Sequence, residues 1–235
     1  MAKKIDETNG TLLLKPIARI HTDFPSKFGL PRQGEVSPLL KGLIVFEKEF
    51  RKEGILRGLK EFSYAWLIWG FSEEEDSPFS PTIRPPKLGG NTRVGVFASR
   101  SPNRPNPIGL TCAKIEAINL DGKDAPTLLV SGVDMEDNTP IYDIKPYVPY
   151  ADSFPEAKGG FSKPSQAIHL DVVFLNDCDK ILSHEKREAL ISVLSQDPRP
   201  GYKHDSEKIY GFSFSTYTVR FKVEEEKRII VLSIA

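Results

Sequence analysis

The chain has only two cysteines in 235 residues, Cys112 and Cys178, far apart and in no CxxC arrangement. That excludes a disulfide framework and a thiolate zinc site, and it agrees with a reducing, cytoplasmic setting. The four histidines, His21, His169, His184 and His204, lack metal-ligand spacing, so no metal is expected. Long apolar runs are missing as well. The strongest, YAWLIWGF at Tyr64–Phe71, is far too short to span a bilayer, so no membrane partner is expected. The N-terminal MAKKIDETNG carries lysines with no apolar run behind them, and no signal peptide is expected. There is no GxxxxGK[ST], no strand–GxGxxG–helix and no GxSxG, which argues against P-loop, Rossmann and serine-hydrolase chemistry.

One local absence points the other way. Formal net charge is zero, yet no acid occurs between Asp76 and Glu116, a stretch holding Arg84, Lys87, Arg93, Arg100, Arg104 and Lys114. Acids gather elsewhere, as in SEEED at Ser72–Asp76. A basic field on a neutral chain still attracts phosphate, although such a run is equally compatible with a solvated surface.

Apolar residues at 39% and charged residues at 27% match a soluble globular protein long enough to bury a real core. Short β-type runs dominate the first two-thirds: LLLKPIARI (Leu12–Ile20), LIVF (Leu43–Phe46), YAWLIWGF, RVGVFA (Arg93–Ala98), IGLTCAKIEAI (Ile108–Ile118) and TLLVSGVD (Thr127–Asp134). Pro16 marks the first as an edge strand, and YAWLIWGF reads as a central strand covered on both faces. A short helix is expected at Gly54–Phe62, where Ile55, Leu56 and Leu59 share a face. This spacing predicts a barrel or a sandwich. A linker is expected at Phe154–Gln166. Beyond it come a strand at Ile168–Asn176 and an amphipathic helix at Asp179–Gln196, with Leu182, Ala189, Leu190, Val193 and Leu194 inward. A phase change in YGFSFSTYTVRFKV (Tyr210–Val223) predicts a bulge near Ser215–Thr216, and RIIVLSI (Arg228–Ile234) pairs back as a hairpin. The fold class is therefore mainly β, with a small C-terminal α+β unit.

Candidate chemistry lies in four stiff polar stretches: FGLPRQGE (Phe28–Glu35), TIRPPKLGGN (Thr82–Asn91), SRSPNRPNPIGL (Ser99–Leu110) and VDMEDNTPIYDIKPYVPY (Val133–Tyr150). The last has no apolar face. Prolines this dense forbid helix and pre-set the backbone, which builds a rigid polar site without helices.

Read together, these stretches resemble the TsaA-like (YaeB, or TrmO-type) family of tRNA methyltransferases. The matching strings are PRQ (Pro31–Gln33), RPPKLGGN (Arg84–Asn91), GVFASRSPNRPNPIGL (Gly95–Leu110), DNTPIYDIKPYVPYADS (Asp137–Ser153) and QDPRPGY (Gln196–Tyr202). The resemblance implies a catalytic β-barrel over residues 10–155 that binds S-adenosylmethionine, followed by a small α+β domain over residues 165–235. It implies a homodimer acting on the tRNA anticodon loop. The reaction implied is N6-methylation of threonylcarbamoylated adenosine immediately 3′ of the anticodon in threonine tRNAs. Carried over, cofactor contacts fall on Pro31, Arg32, Gln33, Phe71, Ser72, Glu73, Arg100, Leu110, Asp137, Asn138, Thr139 and Pro140. The family commonly has His-Gln where Ser72-Glu73 stand and DGTP where DNTP stands. Asn tolerates the left-handed backbone that such a turn needs, whereas a side-chain contact at Ser72-Glu73 would have to be remade.

The residue types suit that chemistry. Arg100 can pair with a carboxylate, Asp137 can accept from hydroxyls or an amine, and Leu110 can pack on adenine. Methyl transfer needs mainly in-line placement, worth about 7–11 kcal/mol in favourable cases. Asp143, Lys145 and Tyr147 are the candidates for base or orienter, with Asn106 a hydrogen-bond partner to the substrate base. The alternative for Asp143 and Lys145 is a bracing ion pair. Arg104 would meet phosphates, and Tyr142, Tyr147 and Tyr150 would offer stacking planes to unpaired bases. A non-catalytic module binding the cofactor or RNA is the competing reading.

Overall fold

Period-two burial along six segments closes a sheet on itself. The computed structural model describes residues 5–6, 10–31, 38–71, 79–85, 88, 91–162, 169–199 and 208–235. A small ladder of β1 (Ile5–Asp6) and β2 (Thr11–Leu12) precedes the barrel. Barrel strands are β3 (Ala18–Thr22), β4 (Lys41–Phe46) and β5 (Tyr64–Gly70). Another small ladder, β6 (Thr82–Ile83) and β7 (Val94–Gly95), follows. Then come β8 (Ile108–Asn119), β9 (Thr127–Ser131) and β10 (Thr139–Pro146). The strand order β10-β3-β4-β9-β8-β5 closes because β10 pairs with both β3 and β5, and every pairing is antiparallel. The lumen is filled by alternate residues such as Ile20, Ile44, Leu67, Trp69, Ala113, Leu128, Val130 and Ile141, all buried. A barrel of so few strands has room only for side chains.

The C-terminal unit is a four-stranded sheet, β11 (Asp171–Phe174), β14 (Arg228–Ile234), β13 (Tyr217–Glu224) and β12 (Tyr210–Phe214) in that order. β11 runs parallel to β14 and the rest are antiparallel. A one-turn helix, α1 (Pro149–Asp152), follows the barrel, and α2 (His184–Leu194) buries Ala189, Leu190, Val193 and Leu194 against the sheet's core.

Several elements differ from the sequence pattern for identifiable reasons. Gly54 and Gly58 take φ of 82° and 84°, so residues 53–58 form turns, and only the 3₁₀ turn Leu59–Glu61 follows. The expected helix from Asp179 starts later, because the Ser183 hydroxyl caps it by accepting from the Lys186 N–H. Leu182 is buried but precedes that cap. Pro16 sits in the connection before β3, which is an interior member of the closed sheet and not an edge. Only Val94–Gly95 of the Arg93–Ala98 run is strand, with a 3₁₀ turn at Val96–Ala98. YAWLIWGF buries Ala65, Leu67 and Trp69 in the lumen, while Trp66 and Ile68 are half-covered outside. The phase change at Ser215–Thr216 is a two-residue hairpin turn with Ser215 at φ 56°, not a bulge, and Arg228 pairs back with Glu224 as expected.

Within the C-terminal unit, Arg187 on α2 donates from Nε to Asp179 Oδ2 at 2.6 Å and lies over the Phe174 ring. This hydrogen bond holds the Asp179 carboxyl below its ordinary pKa. A depressed folded pKa contributes stability above the unfolded value and loses it as pH falls through the folded one. The stability advantage of wild type over Asp179→Asn is therefore expected to be full above about pH 5 and to be lost progressively under stronger acid. Denaturant melts of both proteins across that range measure it.

Candidate functional site

Antiparallel closure sorts the connections by end. The chain leaves β3, β5 and β9 at one rim and returns there into β4, β8 and β10. That rim therefore receives residues 23–40, 71–107 and 132–138. Pro31, Phe71, Arg100, Asn106 and Asp137–Pro140 all belong to these connections or the strand residues beside them. Arg32, Gln33, Ser72 and Glu73 lie outside the described residues, as do Lys87, Gly89 and Gly90.

Hydrogen bonds fix the rim residues in place. The Phe71 N–H donates to the Pro107 carbonyl at 3.1 Å, joining the exit of β5 to the proline-rich loop. That loop is laced by short turns. The Ser101 N–H donates to Ser99 Oγ and the Asn103 N–H to Ser101 Oγ, each at 3.3 Å. The Arg104 N–H donates to Pro102 O at 2.8 Å and the Ile108 N–H to Asn106 O at 2.7 Å. Arg104 also spends its guanidinium on the Ser99 carbonyl at 3.1 Å, so it braces the loop from within. Arg100 is exposed, with no hydrogen-bond or ion-pair partner among the described residues.

The Asp137–Pro140 turn is tied to β3. The Thr22 N–H donates to Asp137 Oδ1 at 3.0 Å, and His21 Nδ1 lies 3.2 Å from the same oxygen. Asn138 takes φ 65°, the left-handed conformation, its N–H donating to Ile20 O while Arg19 donates to its carbonyl at 3.0 Å. His21 and Arg19 carry no local sequence signal for this role, since more than a hundred residues separate them from the turn.

The remaining candidates lie on the barrel's outer face. Leu110, Ile68 and Asp143 pair across β8, β5 and β10 in one outward row, with Leu110 52% exposed. A register shift between Ile141 and Asp143 turns the Asp143 side chain outward, and the Tyr142 ring covers Gly70, where a Cβ would come within 2.7 Å of it. Lys145 Nζ is 2.9 Å from Asp143 Oδ2, and Asp143 Oδ1 accepts from the Ile144 N–H at 2.9 Å. This ion pair raises the Lys145 pKa, so the amine stays a cation at neutral pH. Tyr147 lies just past the end of β10, four residues from Asp143 and about 13 Å along the extended chain. It packs against Tyr64 and Trp66 at the opposite end of β5. Asn106, Leu110 and Asp143 thus share the rim side, and Tyr147 does not. Tyr150 is almost fully exposed. In the C-terminal motif, Arg199 is buried with Nε and Nη2 both donating to Asp197 at 2.8 and 2.7 Å, while Pro200–Tyr202 lie outside the described residues.

The donor set at this rim is mixed: an exposed guanidinium, a carboxylate with Oδ1 already committed, and an exposed apolar plate at Leu110. It suits a zwitterionic nucleoside with a carboxylate, hydroxyls and a base, and so fits S-adenosylmethionine. Among the described residues there is no cluster of His, Cys, Asp and Glu fit to hold a metal, and no helix is long and apolar enough to cross a membrane. Neither cysteine is in a disulfide, and both are half-buried.

Comparisons with known proteins bear on the same regions. Residues 19–153 match the family model for the tRNA-methyltransferase O N-terminal domain, and residues 167–235 match that for the TrmO C-terminal domain. A tRNA (adenine(37)-N6)-methyltransferase of Escherichia coli K12 is 35% identical over 217 residues, 89% of this chain and 92% of that protein. RcsF of Pseudomonas aeruginosa, whose name carries the words S-adenosylmethionine-dependent methyltransferase, is 35% identical over 94% of this chain and 97% of its own length. The crystal structure of TrmO from Pseudomonas aeruginosa superposes with a TM-score of 0.76 at 30% identity, covering 96% of this chain and 99% of that one.

The left-handed Asn138 gives a direct test of the turn. Replacing it with Gly is expected to leave stability within about 0.5 kcal/mol, whereas Ala is expected to cost about 1 kcal/mol or more. Chemical denaturation of the two variants measures the difference.

Proposed function

The chain belongs to the tRNA-methyltransferase O family, and on that premise we propose that it is an S-adenosylmethionine-dependent methyltransferase acting on N6 of adenosine 37 in tRNA. The observation that carries this reading is the gathering of Phe71, Arg100, Leu110 and Asp137–Pro140 on one rim side of the barrel, drawn from two separate connections and the start of β8. The lumen is filled with side chains, which leaves the rim and outer face as the binding surface. The cofactor supplies a methyl group on a sulfonium centre. Toward it, Arg100 pairs with the amino-acid carboxylate, Asp137 accepts from ribose or amine, and Leu110 lies against adenine.

The finer substrate is threonylcarbamoylated adenosine in the anticodon loop of threonine tRNAs. In that base the acceptor nitrogen belongs to a urea, conjugated to a carbonyl, and its proton is more acidic than that of unmodified adenine. A modest base therefore suffices. Lys145 stays protonated beside Asp143, so of the pair only the carboxylate can take a proton. We assign Asp143 that role, Lys145 that of orienter, and Asn106 a hydrogen bond to the base. Exposed Arg84 and Arg93 supply positive charge to the phosphates, and Tyr150 supplies a stacking plane. A homodimer in the cytoplasm completes the reading. It would cover the outer face where Tyr64 and Ile108 are exposed.

Nucleoside mass spectrometry of tRNA from cells with and without this chain is expected to show N6-methylated adenosine only with it. Unchanged methylation, with the purified chain binding cofactor and no turnover, would select the non-catalytic reading. Kinetics separate the residue roles. Arg100→Ala is expected to weaken cofactor binding by about 10- to 100-fold, the worth of a charge-assisted hydrogen bond. Asp143→Asn is expected to lower kcat by about 100-fold or more with KM for the cofactor little changed.

A further inference from the structure

A short polar chain runs from the rim into the largely apolar barrel interior. Trp69 Nε1 donates to Thr111 Oγ1 at 3.0 Å, and the Thr111 hydroxyl donates to Asp134 Oδ1 at 2.6 Å. Trp69 and Thr111 are both buried. Polarity is fixed along the chain, because an indole N–H can only donate and the single Thr111 proton must then go to the carboxylate. The Trp69 indole lies flat over Gly109, where any Cβ would overlap its ring atoms. The indole also packs against the Phe71 ring, centroids 4.4 Å apart.

We infer that Asp134, Thr111 and Trp69 form an internal strut that positions Phe71, so that Thr111 and Asp134 are positioning residues for cofactor binding. The inference rests on the functional reading above. The strut joins two of the three connections that supply the rim: Trp69 lies two residues before Phe71 near the end of β5, Thr111 lies one residue past Leu110 on β8, and Asp134 lies three residues before Asp137. Phe71 is thereby held twice, by its N–H on Pro107 and by its ring on an indole whose rotation is locked. Packing alone does not call for these groups. Valine has nearly the volume of threonine and would fill position 111 with no polar atom to desolvate, as Val130 and Leu128 do elsewhere in the lumen. A hydroxyl there is useful for aiming the indole.

The test compares Thr111→Val with Thr111→Ser. Serine keeps the hydroxyl and valine keeps the shape. Thr111→Val is expected to raise KM for S-adenosylmethionine about tenfold with kcat within about twofold, the signature of lost binding rather than lost chemistry, and Thr111→Ser is expected to stay near wild type. A second readout needs no cofactor. In a Trp66→Phe background, the remaining indole N–H resonance and its Phe71 cross-peaks are expected to shift in Thr111→Val and persist in Thr111→Ser. Unchanged cross-peaks and KM in Thr111→Val would overturn the strut. So would equal losses in both variants that track thermal stability, since those report packing. Wild-type protein that binds no S-adenosylmethionine would instead overturn the functional reading, and the resonance comparison would still decide the strut.

Discussion

Closure of the barrel by β10 is the constraint on which the site depends. β10 hydrogen-bonds to β3 on one side and β5 on the other, drawing its sequence from a stretch rich in acids, amides and tyrosines. It places Thr139 and Ile141 inward, then inserts one extra residue, so that Asp143 and Lys145 emerge on the outer face while Ile144 returns toward the core. Without the register shift after Ile141, strict alternation would send Asp143 into an apolar lumen, where a carboxylate costs several kcal/mol unless paired. The shift makes a polar segment compatible with a closed sheet.

The same closure decides where binding can occur. A six-stranded lumen packed with Leu, Ile, Val and Trp holds no nucleoside, so recognition falls to the rim and the outer wall. Loops at a rim are ordinarily its most mobile part. Here they are stiffened by proline, by serine hydroxyls turned back on the backbone, and by backbone bonds such as Phe71 to Pro107 and Asp137 to Phe24. Prolines remove conformations from the unfolded chain, so this order comes at little cost in the folded state. Rigidity at the rim matters for a reaction that relies on placement, since misaligned partners forfeit the proximity gain.

How much of this was legible in the sequence follows from the range of each interaction. Strand identity along Tyr64–Gly70, Ile108–Ile118 and Thr127–Ser131 rests on local alternation and proline or glycine punctuation, and it reads directly. The left-handed turn at Asn138 reads from one residue type. The stretch Val133–Tyr150 was opaque: its buried residues, Val133, Met135, Ile141 and half-buried Ile144, are spread among polar ones by a bulge, so neither periodicity shows. The helix expected over Gly54–Phe62 failed because two left-handed glycines outweigh three apolar side chains. The site strings stood out for composition, but their convergence on one rim depends on strand order, and the Trp69–Thr111–Asp134 chain joins residues 42 and 23 positions apart. Neither carries a local mark.

The C-terminal unit enters this picture through the connection from β3 to β4. Phe24 packs edge-on against Phe214, and Phe28 against Phe212, so the buried face of β12 rests on that connection. The Ser215 N–H donates to Asp23 O at 2.6 Å, and Lys186 on α2 reaches both the Asp23 carboxylate and Ser215. The ion pair is a third exposed and contributes at most about 1 kcal/mol. Burying Phe24 and Phe214 contributes more, about 1.5–3 kcal/mol each. Apolar contact therefore does most of the joining, and the charges set its register. Because the connection so gripped continues into Pro31, the second unit supports one wall of the rim from behind. The two family-model regions thus share one hydrophobic core, and the barrel's binding edge is built partly by residues that never face it.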